Sequence, residues 1–260
     1  MESKHMTSEN QDLFNHRNIK LTIAYDGTRY HGFQRQQNAL AIQEILEKKL
    51  ASLFGHPIKL IAAGRTDTGV HAYGQVVNFM TSGTIPAAKI PLAARGLLPD
   101  DIVVIGAEEV APDFNARYSA QSKIYIYRIH QAPFADPFLH NFSWHINKPL
   151  DVAVMHQAAQ SIVGTHDFSA FRATGSAPVN PVRTIFSATC TSVGEQIEFT
   201  FWGNGFLYHM VRNLVGTLVN VGRGRITSEQ FVGILESRNR KLAGATAPAQ
   251  GLYLKEVYYS

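Results

Sequence analysis

Ala63-Gly64-Arg65-Thr66-Asp67-Thr68-Gly69-Val70-His71-Ala72 places one carboxylate between two glycines, beside an arginine, two hydroxyls and a histidine. The apolar run before it, Ile58 to Ile61, and the run after it, Gln75 to Met80, both read as buried strands. The stretch is therefore a structured loop between core elements, where a rigid scaffold can hold a reactive side chain. Asp67 is the first candidate for a catalytic group.

Working outward, Ile19, Leu21, Ile23 and Tyr25 alternate with Lys20, Thr22 and Ala24, the period of a half-buried strand that Asp26-Gly27 ends. Ile42, Ile45, Leu46, Leu50 and Leu53 fall at spacings of three and four, so Ala41 to Phe54 is an amphipathic helix. Pro86 suits the first turn of a second helix reaching Arg95, which Pro91 interrupts and Gly96 ends. Ile102 to Ile105 and Ile124 to Ile129 are further strands. Asp151 is the N-cap of a helix through Val163, with Gly164 as its stop. Ile185 to Thr191 and Gln196 to Trp202 form a hairpin around Gly194, with Ile197, Phe199 and Phe201 on one face. Val211, Leu214, Val215, Leu218 and Val219 line one face of a helix ending near Gly222. Thr227 and Gln230 have capping-box spacing for another through Ser237, and Leu252 to Tyr258 closes the chain as a strand. Strands and helices in mixed order predict an α+β protein with helices packed on a sheet. Two similar subdomains, 19–147 and 148–260, preceded by a disordered lead-in over 1–18, are the simplest organisation.

Composition narrows the function classes. Among 260 residues, 24 are Lys or Arg and 20 are Asp or Glu. That excess is a weak pointer to an anionic partner such as nucleic acid. The single Cys190 rules out an internal disulfide and a multi-cysteine metal site, and it fits a reducing cytoplasm. No apolar stretch approaches the ~20 residues of a membrane-spanning helix, so no membrane is expected as partner. The polar N-terminus lacks the apolar core of a secretory signal.

Several motifs dissolve on inspection. Asp26-Gly27-Thr28 follows a strand as in a phosphatase signature, but Ala24 stands where the nucleophile belongs, leaving a strand-ending turn. Gly222-Arg223-Gly224-Arg225 follows a helix instead of preceding one, so it reads as a helix end and not a phosphate loop. Eleven histidines contain no zinc-binding helix motif with a third ligand, and no metal is expected. A Gly-x-Ser-x-Gly nucleophile elbow is missing.

Two segments carry more. Phe114-Asn115-Ala116-Arg117-Tyr118-Ser119, followed by Lys123 to Arg128, joins cations for phosphate to rings for base stacking. Arg212 lies in a mostly apolar helix, where a charge is costly unless paired, and Asp67 is its natural partner.

These residues together resemble the TruA-type tRNA pseudouridine synthases. The resemblance is carried by Gly64 to Ala72, Tyr25-Asp26-Gly27-Thr28, Gly32-Phe33-Gln34, Phe114-Asn115-Ala116-Arg117, Tyr125 and Phe206-Leu207-Tyr208-His209-Met210-Val211-Arg212, and it extends from Ile19 to Tyr258. It implies a mixed, largely antiparallel sheet with helices packed on it, built as two similar subdomains of a pseudouridine synthase core. It implies a homodimer that converts uridine to pseudouridine at positions 38 to 40 of the tRNA anticodon arm without cofactor or metal. Asp67 would be the catalytic carboxylate, attacking C1′ or removing a sugar proton, and Arg212 would hold it charged. Arg65 would secure the flipped nucleotide, Tyr125 would stack on the uracil and take its C5 proton, and Leu252 would pack on the other side. Phe114, Asn115, Ala116, Arg117, Tyr118, Arg172 and Arg183 would contact tRNA, alongside Arg29, Arg35 and Lys123. Many relatives carry a cysteine near Ser176 and a basic residue near Val179 in a loop that touches tRNA, so the sequence of this loop departs from the family pattern while the catalytic residues keep it.

Overall fold

The computed structural model describes residues 16–175 and 179–259. Most of the expected lead-in, and Ser176, lie outside the described residues. The first strand begins at Arg17 instead of Ile19, because Arg17 is tied to Glu109 by an ion pair of 2.8 Å and Asn18 is buried in the sheet.

Ten strands form one mixed sheet: β1 (Arg17–Tyr25), β2 (Ile61–Ala62), β3 (His71–Thr81), β4 (Ile102–Val110), β5 (Ser122–Gln131), β6 (Trp144–Ile146), β7 (Gly164–Asp167), β8 (Val182–Val193), β9 (Gln196–Gly203) and β10 (Leu252–Tyr258). The described helices are α1 (Ile42–Phe54), α2 (Ile90–Arg95), α3 (Val152–Gln160), α4 (Met210–Gly222) and α5 (Ser228–Ser237). The strand order is β4-β1-β3-β10-β5-β9-β8-β7, with β2 added to β3 and β6 to β5. All pairings are antiparallel except β10 with β3 and β5 with β6. The last strand thus lies between β3 and β5 and joins the sheet's two wings. The 147/148 boundary falls in the connection from β6 to α3.

Directly paired residues share a face of a sheet. Ile102, Tyr25, Ala72, Leu254, Tyr125, Phe201 and Ala188 are paired in succession across seven strands, and all are buried. Tyr125 is therefore part of a continuous core row, next to its central member Leu254. Val103 and Ile105, which alternate with Ile102 and Val104, are exposed on the opposite face.

Local chemistry explains the element ends. Gly55 ends α1 in the left-handed conformation at φ 74°. Asp151 caps α3 by accepting from the Val154 amide, and Thr227 and Gln230 form the reciprocal capping box of α5. Pro91 does divide its helix, into a 3-10 turn at Ala87–Lys89 and α2. Two expectations need correction. α3 stops at Gln160 instead of Val163, with the Ser161 hydroxyl donating back to Ala158 O at 2.7 Å; Gly164, at φ 112°, starts β7. Ile58 and Leu60 are buried but belong to no strand; only Ile61–Ala62 pairs with β3. The Leu60 amide donates instead to the Glu47 carboxylate at 3.0 Å, so side-chain burial there was legible but backbone pairing was not.

The connection from α5 to β10 lies tightly on α4. The Gly244 amide donates to the Thr217 hydroxyl at 2.9 Å, and the buried Asn213 Oδ1 accepts from Arg240 Nη2 at 3.0 Å and from the Thr246 hydroxyl at 2.7 Å. A Cβ on Gly216 would sit 1.8 Å from Ala245 O, so only glycine allows this approach. No described helix is long and apolar enough to cross a membrane.

Gly216→Ala is expected to cost roughly 1–3 kcal/mol of stability through overpacking. Gly233→Ala in α5, where an added Cβ meets nothing within 4 Å, is expected to be neutral or to stabilise slightly. Urea unfolding of the two variants distinguishes them, and equal effects would contradict the packing argument.

Candidate active site

The loop carrying Asp67 is fixed from below and from both sides. Gly64 O accepts from Gln75 Nε2 at 2.9 Å, and the Thr66 hydroxyl shares a 2.7 Å hydrogen bond with the Tyr25 hydroxyl. The Phe33 amide donates to Thr66 O at 3.1 Å, and the Val70 amide to Asp67 O at 3.1 Å. Lys123 Nζ donates to Ala63 O at 2.7 Å. The upstream glycines are requirements of this wrapping: a Cβ on Gly27 would lie 2.0 Å from Val70 O, and one on Gly32 2.6 Å from Thr66 O. His71 closes the loop. Its Nδ1 accepts from the Gly27 amide at 3.1 Å, which leaves Nε2 to donate to Asn141 O at 2.9 Å. Burial lowers the His71 pKa against the opposing pull of Asp26, in keeping with this neutral tautomer.

The parallel pairing of β3 with β10 places the starts of both strands at one end of the sheet. The segments that lead into them consequently meet: the Asp67 loop precedes β3, and the strap over α4 precedes β10. A Cβ on Gly69 would come within 3.4 Å of the Ala249 side chain. Arg212, in the first turn of α4, spans the two segments. Its Nε donates to Ala247 O at 2.8 Å, and its Nη1 donates to Asp67 Oδ2 at 3.3 Å. The Ala247 amide returns a hydrogen bond to Arg212 O at 3.1 Å. Asp67 and Arg212 are 23% and 14% exposed, so the carboxylate is open to a ligand on one side while its partner is largely enclosed.

Tyr125 lies in the core row beneath this pair, and its ring meets Phe206 edge-on at 5.0 Å. Burial, with Tyr25 and Asp67 adding to it, pushes the Tyr125 phenol well above its ordinary value. Leu252 is buried opposite Tyr127, two pairs along β10 and β5 from the Leu254–Tyr125 pair, and so lies on the same face of the sheet. Arg65 is exposed on the loop.

The remaining expected contacts separate into frame and surface. Ala116 is fully buried; its amide donates to Asn78 Oδ1 at 2.8 Å and its carbonyl accepts from the Tyr259 hydroxyl at 2.8 Å. Phe114 packs on Tyr259, and its carbonyl accepts from Asn18 Nδ2 at 2.9 Å. Asn115 Oδ1 accepts from the amides of Arg117 and Tyr118, a turn that turns those two side chains outward. Arg117 and Tyr118 are exposed, with the guanidinium 5.4 Å from the ring. Arg183 is anchored on Asn180 O and Val182 O at 2.7 and 2.6 Å. Arg172 is half-buried after Phe171. Arg29 and Arg35 face acids, Asp101 at 2.6 Å and Glu47 at 3.4 Å. Lys123 is enclosed under the loop, where burial, with Arg117 and Arg183 adding to it, pushes its ammonium down to about 8. Among the described residues no group of three or more His, Cys, Asp and Glu side chains could hold a metal ion.

Sequence reasoning missed His209 as a site residue. Its Nε2 lies 3.3 Å from Asp67 Oδ2. It precedes α4 in a left-handed conformation instead of lying on its face, so no helical spacing pointed to it.

Residues 21–119 and 158–260 match the family model described as tRNA pseudouridine synthase. The chain is similar to proteins named tRNA pseudouridine synthase A. In Thermoanaerobacter sp. (strain X514) the identity is 48% over 94% of this chain and 100% of the relative. In Acetivibrio thermocellus it is 48% over the same shares, and in Streptococcus equi subsp. equi 47% over 92% and 98%.

Lys123 gives a pH signature. Between about 8 and its ordinary 10.5, the unfolded chain holds a proton that the folded chain has released, so this group makes stability rise with pH across that window. Lys123→Met removes the group. Urea unfolding at several pH values from about 7.5 to 10 is expected to show the wild type gaining stability relative to Lys123→Met as pH rises. A pH-independent difference would contradict the burial of a strained ammonium.

Proposed function

The chain belongs to the tRNA pseudouridine synthases, isomerases that turn uridine in tRNA into pseudouridine, and we propose that Asp67 is its catalytic carboxylate and the uridines at positions 38 to 40 of the anticodon arm its targets. The observation that carries the reading of the site is the contact between Arg212 Nη1 and Asp67 Oδ2, 145 residues apart in sequence.

The reaction breaks the C1′–N1 bond, turns the uracil and joins C1′ to C5. The C5 proton leaves and N1 gains one, so atoms and charge balance with no outside reactant. A stacked base is out of reach, and extruding it costs a few kcal/mol. Asp67 stands at the mouth of a floor formed by Tyr125 and Leu252, where an extruded nucleotide brings its sugar to the carboxylate and its uracil to the ring. Addition of the carboxylate to C1′ and removal of a sugar proton to give a glycal both place this same group at the sugar. Arg212 keeps its negative charge compensated and its orientation fixed. The raised phenol of Tyr125 stays protonated at neutral pH, which suits a stacking surface; taking the C5 proton requires it to pass its own proton on in the same step. Arg65, exposed on the loop, fills the space the base has left and binds the backbone.

Arg117, Tyr118, Arg172 and Arg183 make the tRNA contacts, and Phe114, Asn115 and Ala116 serve them as the frame that presents Arg117 and Tyr118. The protein acts as a homodimer, with exposed apolar residues of the open sheet face such as Val103 and Ile105 available to a second copy. It works in the cytoplasm, where the buried Cys190, its thiol pushed up to about 12 by burial, stays reduced and inert.

Incubation with tRNA carrying tritium at uridine C5 tests the reading. The wild type is expected to release tritium to water, and Asp67→Asn to bind tRNA and release none. Undiminished release by Asp67→Asn would overturn the assignment of Asp67, and free uracil as product would make the protein a glycosidase. Release confined to tRNAs with uridine at positions 38 to 40 is expected; release from tRNAs lacking it there would overturn the anticodon-arm assignment.

A further inference from the structure

Asp67 is held by one oxygen only. Arg212 Nη1 and His209 Nε2 each lie 3.3 Å from Oδ2, and among the described residues no hydrogen bond or ion pair reaches Oδ1. His209 also has a backbone that its local position does not call for. It precedes α4 in the left-handed region at φ 58°, a conformation costly for a residue with a side chain. Residues at that position normally accept a hydrogen bond from the helix's first amides, yet the His209 side chain makes no such cap. It stacks instead on Tyr208 at 3.9 Å and turns its ring to Asp67. Strain of this kind persists where the surrounding structure uses the residue.

We propose that His209 is a positioning residue for the isomerisation: together with Arg212 it fixes Asp67 through Oδ2 and thereby presents Oδ1 to the nucleotide. The inference rests on the assignment of Asp67 as the catalytic carboxylate. The charged and titratable groups facing His209 are Asp67 from the loop, Arg212 from α4, Arg240 from the connection after α5 and the stacked Tyr208. Burial lowers the His209 pKa, with Arg212 and Arg240 adding to the effect and Asp67 opposing it. The ring is accordingly neutral at neutral pH and lies against Oδ2 at 3.3 Å as a polar contact, leaving Arg212 as the hydrogen-bonded cation of the site. Contact at Oδ2 from two sides limits the rotation that would carry Oδ1 away, and a displacement of about 1 Å at a reacting group costs on the order of 100-fold in rate.

Three variants test this by single-turnover tritium release with enzyme in excess over C5-tritiated tRNA, alongside tRNA Kd and Tm. His209→Ala is expected to slow the saturated rate roughly 10- to 100-fold with Kd within about twofold of wild type. His209→Asn keeps a residue that tolerates the left-handed backbone but is too short to reach Asp67, so it is expected to fold normally and be as slow. His209→Gln carries an amide N–H near the position of Nε2 and is expected to recover most of the lost rate. A wild-type rate in Ala or Asn, a loss confined to Kd, or a normally folded Gln variant no faster than Ala would each overturn the proposal. Absence of release by the wild type would instead overturn the function on which it rests.

Discussion

The ion pair between Arg212 and Asp67 sets the demand that the surrounding structure meets. A guanidinium in an apolar helix and a carboxylate in a tight loop are each expensive to enclose alone, and their pairing offsets that cost only if both are held in register. The fold meets this demand at both ends. Tyr25, Phe33, Gln75 and Lys123 hold the loop through its backbone or the Thr66 hydroxyl. On the other side, Ala247 O takes the second donor of Arg212, and the strap that carries it is pressed to α4 by the absence of a side chain at Gly216. The insertion of β10 beside β3, parallel to it, brings the two assemblies to the same end of the sheet.

This division of labour explains why a reaction needing one carboxylate uses so much of the chain. With Asp67 proposed as the reactive group, its partial exposure leaves room for a sugar. Tyr125 and Leu252, both part of the buried core, are the surface on which the proposed reading lays the base.

Much of this was legible in the sequence. Alternation in Ile19 to Tyr25, the stripe of Ile42 to Leu53 and the capping signals at Asp151 and Thr227 state local preferences that the tertiary structure keeps. Asp67 and Arg212 were legible as partners because a lone charge in a helix such as Val211 to Val219 demands an opposite charge. Ile58 to Leu60 were misread because side-chain burial and backbone pairing coincide in most strands and here do not: Glu47 satisfies the Leu60 amide from a helix. The extent of α3 was overread because Gly164 punctuates the start of a strand as well as the end of a helix. Phe114, Asn115 and Ala116 carry the look of an RNA motif while their hydrogen bonds turn inward, a distinction that depends on Asn78 and Tyr259, far away in sequence. His209 was hidden because its role comes from a left-handed backbone angle, which no pattern of residue types reports.

Arg212→Ala separates a charge that serves Asp67 from one that serves the RNA when tritium release at saturating tRNA and tRNA affinity are determined on the same preparation. A loss in rate on the order of 100-fold or more, with affinity changed only a few-fold, is the predicted result. Equal losses in rate and affinity would contradict it.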